Sequence, residues 1–242
     1  MELRGRRALV TGAGVRLGRA LATALMRKGV HVAIHYHGSE TGARDAAAEG
    51  SRLGVKTALV SADLSDAAAA RGLAARAREA LGGLDILINS AAIMEKQPVP
   101  EVTPADWERT MNLNLRGSFF AAQGAAEAMG GAGGAIVNIA DLAAFERWSG
   151  YAVHVISKAG VVVMTELMAK AFAPLVRVNA IAPGAVLLPD DWDKTTRRAF
   201  AESTPLGRLG SVDDVAGAMF YLLENEYVTG ETIVVDGGRR IR

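Results

Sequence analysis

A chain of 242 residues, half of them hydrophobic and carrying a formal net charge of +1, has the length and balance of one soluble globular domain. That balance excludes the basic excess of a nucleic-acid binder and the charged runs of a membrane-surface segment. With no cysteine, disulfides and thiolate chemistry are excluded, and the four histidines, His31, His35, His37 and His154, show no metal-ligand spacing, so no metal site is expected. Met1 leads into ELRGRRALVTG, which lacks the apolar core of a signal peptide, and no apolar run reads as a membrane span. A cytoplasmic location with no membrane partner is expected.

Residues 8–10 form a short apolar strand that enters Thr11-Gly12-Ala13-Gly14-Val15-Arg16-Leu17-Gly18, and a helical pattern follows, closed by Gly29. Strand, glycine-rich turn and helix in that order suit a phosphate. Glycines let backbone approach a pyrophosphate, and the helix N-terminus offers free N–H groups at its positive dipole end. The turn is not the standard G-x-G-x-x-G, and an ordinary tight turn has the same outline. Residues 30–37 read as the second strand. A dinucleotide site that selects NAD carries an acid there for the ribose 2′-hydroxyl. Here His35, His37 and Arg16 stand instead, groups that suit a 2′-phosphate, so NADP(H) is expected in preference to NAD(H).

A helix over about 41–53 leads to a strand over 56–61 and then to Asp63-Leu64-Ser65. Residues 66–81 form the next helix, 84–88 the fourth strand, and Asn89-Ser90-Ala91-Ala92 follows. Thr103-Pro104 starts a helix, with threonine as cap and proline at the first helical position, that carries Trp107 and Asn114 and runs to about Met129. Strands over 136–139 and 177–181 flank a helix beginning near Tyr151. Residues 187–205 are a polar connection containing Trp192, of the kind that covers substrates. A helix over 212–223, a strand over 231–235 and the basic end Arg239 to Arg242 complete the chain. This alternation predicts a single α/β domain over 1–242, a doubly wound parallel sheet with helices on both faces and ligands at the C-terminal strand ends.

The stretch 136–158, IVNIADLAAFERWSGYAVHVISK, carries the candidate chemistry. It leaves a buried strand at Asp141, crosses a loop and becomes helical near Tyr151. Residues four apart on a helix share a face, so His154 and Lys158 point the same way, with Tyr151 one turn earlier. A carboxylate at a strand end facing an ionisable pair on the next helix is an acid/base arrangement. Alone, the same residues read better as a loop and a solvated helix face, and the order of the surrounding features shifts the balance to the site.

That order resembles the classical short-chain dehydrogenase/reductase family along essentially the whole chain. The pieces are VTGAGVRLG at Gly12, ADL at Asp63, NSAA at Asn89, MNLNLRGSFF at Asn114, IVNIAD at Asp141, SKAGV at Lys158, RVNAIAPG at Pro183 and Gly184, and VTG with VVDGG near the end. The resemblance implies a Rossmann fold, a nicotinamide cofactor, a small-molecule substrate and a homotetramer. Within the family the chain is similar to pteridine and dihydromonapterin reductases, in Arg16 at the middle-glycine position, in His35-Tyr36-His37, in Asp141 where most members carry a catalytic Ser, and in the DGGR terminus. By position, the resemblance places Gly12, Arg16, Leu17 and Gly18 at the pyrophosphate and adenosine phosphate, and His35 and His37 near the ribose. It places Asp63 and Leu64 at the adenine, Asn89 at the nicotinamide-side ribose, and Pro183 and Gly184 in the nicotinamide pocket. Asn114 would support a proton-relay water, and Lys158 would bond the ribose and bias the acid beside it. A C-terminal basic residue in that branch can reach a neighbour's site, a role open to Arg239 to Arg242.

Two positions depart from the pattern. The family's catalytic Tyr, four residues before Lys158, is His154 here. A phenol titrates near ~10 and an imidazole near ~6.5, so the proton donor changes in kind. Tyr151 offers a phenol one turn away, about 4–5 Å along the helix. The aromatic residue that stacks on the pterin in that branch is replaced by Ile93, leaving Trp192 as a ring in the flexible connection. The expected activity is NADPH-dependent reduction of a C=O or C=N bond in a small molecule, a pteridine among the candidates, with Asp141, His154, Lys158 and Asn114 as the catalytic set. The alternative is a cofactor-binding protein with attenuated or no reductase activity.

Overall fold

The computed structural model describes residues 1–188 and 192–242. Its strands are β1 (Arg7–Val10), β2 (His31–Tyr36), β3 (Thr57–Ser61), β4 (Ile86–Asn89), β5 (Gly134–Ile139), β6 (Val176–Pro183) and β7 (Thr232–Val235). They form one seven-stranded sheet in the order β3-β2-β1-β4-β5-β6-β7, with every pairing parallel. The helices are α1 (Arg16–Arg27), α2 (Glu40–Arg52), α3 (Ala67–Leu81), α4 (Pro104–Met111), α5 (Ser118–Met129), α6 (Ala143–Glu146), α7 (Ala152–Phe172), α8 (Lys194–Glu202) and α9 (Val212–Glu224). The expected doubly wound α/β architecture is the one observed.

Parallel sheets are covered on both faces, so their central strands are apolar without alternation. All of β4 is buried, and alternate residues feed opposite cores. Ile86 and Ile88 join Val10, Leu21, Ile34, Val137 and Met219 on one side, whereas Leu87 joins Leu9, Leu73, Ile136, Met164 and Val178 on the other. The strand order reverses between β1 and β4, which opens a crevice at their C-terminal ends. Register then brings the site together. Val10 lies beside Ile88, Asn89 beside Asn138, and Ile139 beside Ile181, so the segments starting at Thr11, Ser90, Ala140 and Gly184 leave the sheet along one edge.

Local signals set the start of several helices. Thr103 and Asp106 form a reciprocal capping box at the start of α4, and Ser211 with Asp214 does the same for α9. Between α4 and α5 the helix continues as a π-helical stretch, Asn112–Gly117, which carries Asn114. Two elements arise where loop was expected. α6 follows Asp141, and α8 lies in the polar connection, capped by Asp193, which accepts from the Thr196 N–H at 2.7 Å. Positions 189–191 of that connection lie outside the described residues.

α7 spans 21 residues and is long and apolar enough to cross a membrane by length and composition, unlike the expectation that no run approached that length. Half of it is buried inside the fold, and its buried side includes His154, Ser157 and Lys158 with Val161, Met164 and Met168. It is a core helix packed on the sheet.

At the start of α1 the backbone is closely packed. A Cβ on Gly18 would lie 2.3 Å from the Gly12 carbonyl oxygen, a backbone contact that cannot give way cheaply. Gly18→Ala is expected to lower stability by about 1–3 kcal/mol and to weaken dinucleotide binding by displacing the turn, as read by melting and by NADPH fluorescence titration. Gly72, in α3, has nothing within 4 Å of such a Cβ. Gly72→Ala is the matched control, expected to stabilise by about 0.5–1 kcal/mol without touching binding.

Candidate active site

The turn after β1 runs through Gly12 at φ +66° and Arg16 at φ +48° into α1. Gly12 is at home in the left-handed region, whereas Arg16 occupies it at a cost of about 1–2 kcal/mol. The first turn of α1 has no capping side chain and no acidic residue, so its N–H groups and dipole face outward uncompensated. These are the properties a pyrophosphate requires, and Gly12, Arg16, Leu17 and Gly18 are all in or beside that turn. The Arg16 guanidinium reaches across to the Leu187 carbonyl at 2.7 Å, joining the turn to the connection after β6.

His35 does not stand free near a ribose. Its imidazole is 2 % exposed, with Nδ1 accepting from the Gly12 N–H at 3.0 Å and Nε2 donating to the Ala62 carbonyl at 3.1 Å. Burial pushes its pKa down to about 4, against the Ala62 hydrogen bond, which raises it. The ring stays neutral and is fully engaged. β2 is a central strand, and both its faces are covered; that is why position 35 turned inward. His37, beyond the strand, is exposed beside Asp63. The Asp63 carboxylate accepts from both the hydroxyl and the N–H of Ser65, which hold it below the usual carboxylate range. The Leu64 side chain is buried in the core, so only its backbone is at the sheet edge.

The asparagines also face inward. Asn89 donates to the Ser118 carbonyl at 2.8 Å and to Asn138 Oδ1, and its own oxygen accepts from Thr11 Oγ1. Its side chain is therefore a strut beneath the sheet edge and not a contact for a ribose. Thr11, which sequence reasoning passed over, takes the N–H groups of Ser90 and Ala91 on the same hydroxyl. Asn114, fully buried, exchanges two bonds with the Ile93 backbone, each 2.9 Å, and donates to Ser157 Oγ at 3.1 Å. Its amide braces the segment after β4, so the side chain is not free to hold a relay water. Pro183 and Gly184 are strand end and exit: Leu142 donates to the Pro183 carbonyl, and a Cβ on Gly184 would lie 2.9 Å from Asp236.

The expected acid/base group does assemble. His154 is 3 % exposed, and its Nδ1 lies 3.1 Å from the Ile93 carbonyl, an acceptor, so that nitrogen carries hydrogen. Nε2 is buried with no hydrogen-bond partner among the described residues and points at Asp141 Oδ2, 3.6 Å away. With Nδ1 protonated, a neutral ring turns a lone pair on Nε2 toward a carboxylate. Two acceptors face each other, and a proton on either one resolves the conflict. Asp141 Oδ1 accepts from the Ala143 N–H at 2.8 Å, which anchors the start of α6, while Oδ2 is left for His154 and the pocket. The Asp141 side chain is 25 % exposed, so the carboxylate is the outer member of the pair.

Lys158 lies one turn further along α7 and is 4 % exposed. Its Nζ donates to the Ile139 carbonyl at 2.7 Å. Burial pushes its pKa down to about 8, with Asp141 opposing the shift. An ammonium behind the pair supplies the cation expected at this place.

Of the substrate-side residues, Ile93 contributes backbone, through both Asn114 and His154. Tyr151 caps α7 at φ −132°, ψ 45°, with its ring edge-on to Trp148 at 6.3 Å. It sits before the helix, not on its face. Trp192 packs on Phe200 of α8 at 5.1 Å. The C-terminal residues turn back on their own chain. Arg239 lies over Phe200 at 4.0 Å and pairs with Glu146 of α6 at 3.2 Å, and Arg242 donates to the Ser203 carbonyl. The Arg239 and Arg242 contacts had no signal in spacing because they join segments far apart in sequence, whereas the Trp148 indole donates to the nearby Glu146 within the same loop.

With the geometry in hand, comparison with known proteins is informative. The family described as enoyl-(acyl carrier protein) reductase matches residues 12–240. An uncharacterized oxidoreductase of Methylorubrum extorquens is 35 % identical, covering 99 % of both chains. L-rhamnose 1-dehydrogenase (NAD(P)(+)) of a Sphingomonas species is 34 % identical over 98 % of this chain and 96 % of its own. The crystal structure of a short chain dehydrogenase from Burkholderia cenocepacia in complex with NADP superposes with a TM-score of 0.91 at 32 % identity, covering 99 % of each chain. The rhamnose dehydrogenase is named for NAD(P)(+) and the Burkholderia structure holds NADP, so nicotinamide cofactors recur among relatives that share this scaffold. The chain is an oxidoreductase of nicotinamide-dependent type and belongs to the classical short-chain dehydrogenase/reductase family.

Proposed function

We propose that the chain is an NADPH-dependent reductase acting on a C=O or C=N bond of a small molecule, with Asp141 and His154 sharing the proton that the product takes up. When bound, the dinucleotide supplies the hydride. The observation that carries this reading is the facing of His154 Nε2 and Asp141 Oδ2 at 3.6 Å, with the carboxylate the more exposed of the two. The carboxyl, being the more exposed, is the donor to substrate. His154 stands behind it and fixes it, and Lys158 balances the charge when the proton has gone. An imidazole is shorter than a phenol and a carboxylate longer than a serine hydroxyl, so the two departures from the family pattern offset each other in reach.

NADP(H) preference is supported by Arg16 and the exposed His37, and by the lack of an acid at the end of β2. His35 no longer counts toward it. A pteridine substrate is supported by Arg16, His35-Tyr36-His37 and Asp141, and a sugar is the alternative that the rhamnose dehydrogenase relative brings. The family's homotetramer is proposed as well; Ile156, Val163 and Leu167 form an exposed apolar stripe on α7 that such an assembly would cover.

The test is NADPH oxidation over about pH 5 to 8 with dihydropteridines, quinonoid pterins and simple ketones, and NADP reduction with sugars. Turnover should rise as pH falls, because the pair must hold a proton before it can give one. A second reading, favoured by the missing Tyr at position 154, is a protein that binds the cofactor without reducing anything well. No turnover anywhere, with tight NADPH binding, would establish that reading instead.

A further inference from the structure

The first two N–H groups after Thr11 are both taken by one residue. The Gly12 N–H donates to the His35 ring at 3.0 Å, and the Ala13 N–H donates to the His35 carbonyl at 2.9 Å. The other ring nitrogen donates to the Ala62 carbonyl at 3.1 Å, just before Asp63, and Ala62 in turn donates its N–H to the Tyr36 carbonyl. A buried side chain thus ties the turn after β1 to the end of β3, across β2. The tautomer is fixed by the partners: a carbonyl on one side demands Nε2–H, and an N–H on the other demands a bare Nδ1.

We propose that His35 is the positioning residue of the phosphate-binding turn, presetting its conformation and withholding the Gly12 and Ala13 amides from the dinucleotide. Contacts to the pyrophosphate then fall to the amides at the start of α1, around Arg16, Leu17 and Gly18, which have no partner within the helix. The same ring holds the Ala62-Asp63 segment in step with the turn, so the two ends of the adenosine site keep a fixed separation.

A homologous pair of amide variants tests this. In His35→Asn the side-chain oxygen occupies nearly the place of Nδ1 and can still take the Gly12 N–H. In His35→Gln the amide is carried one carbon further, to the place of Nε2, and the acceptor for Gly12 is lost. NADPH dissociation constants from fluorescence titration should stay within about 3-fold of the wild type for Asn and rise about 10-fold or more for Gln. Without any ligand, hydrogen exchange of a peptide covering 11–15 should stay slow in Asn and become fast in Gln. Gln binding NADPH as tightly as Asn, or equal exchange in the two variants, would overturn the proposal. Asn as weak as Gln would equally do so, since it would reduce the ring to a packing element.

Discussion

Replacing His154 by alanine is expected to lower turnover by about 10²- to 10⁴-fold while leaving the NADPH dissociation constant within about 2-fold. The loss follows from the pair, not from the ring alone. Without Nε2 opposite it, Asp141 keeps its bond to the Ala143 N–H but loses the partner that faces its other oxygen. Asp141→Asn should lose a comparable factor. The double variant should be no worse than the poorer single one, because residues that act as a unit are not additive. The acid-side rise of turnover should flatten in both. His154→Tyr is the complement: it restores the family's donor, and a large gain would mean that the native pair works below what the scaffold allows. If His154→Ala turned over at the wild-type rate, the imidazole would leave the mechanism and Tyr151 would become the phenol to test.

Lys158→Met is expected to abolish most turnover and yet to leave the fold at least as stable at neutral pH. Burial moves the lysine from its ordinary 10.5 to about 8, which corresponds to roughly 3 kcal/mol spent on keeping the ammonium in the core. Methionine removes that cost and leaves the Ile139 carbonyl without its donor, which returns about 1–3 kcal/mol. The sign with pH is definite. Between pH 8 and 10.5 the unfolded lysine binds a proton that the folded one has released, so wild-type stability rises with pH across that window. Below pH 8 the cost is constant. Urea denaturation at about pH 7 and about pH 9.5 should therefore show wild type gaining on Lys158→Met as pH rises. Parallel curves would mean that the ammonium is not desolvated as its burial indicates.

Much of the fold was legible because its signals are local. Thr103-Pro104 announces α4, Asp66 caps α3 through two N–H groups, and short apolar runs mark the strands. Asp141, His154 and Lys158 were legible as a group because a strand end and a helix face are both set by short-range geometry. What failed was side-chain direction. His35, Asn89 and Asn114 lie at the right places along the chain, but each points into the protein, since these elements are covered on both sides and polarity alone does not tell a ligand contact from a strut. α6 could not be read from four residues, because it depends on the Asp141 carboxylate bonding Ala143. α8 was hidden by its polar composition, although Asp193 and Thr196 carried its cap.

The Asp141 carboxylate has a second consequence. One oxygen faces His154, and the other starts α6, whose Glu146 holds Arg239, which in turn lies against Phe200 beside Trp192. Asp141 and the Phe200–Trp192 pair thus hang on one thread of contacts, so a substitution at either end is transmitted to the other through α6 and Arg239.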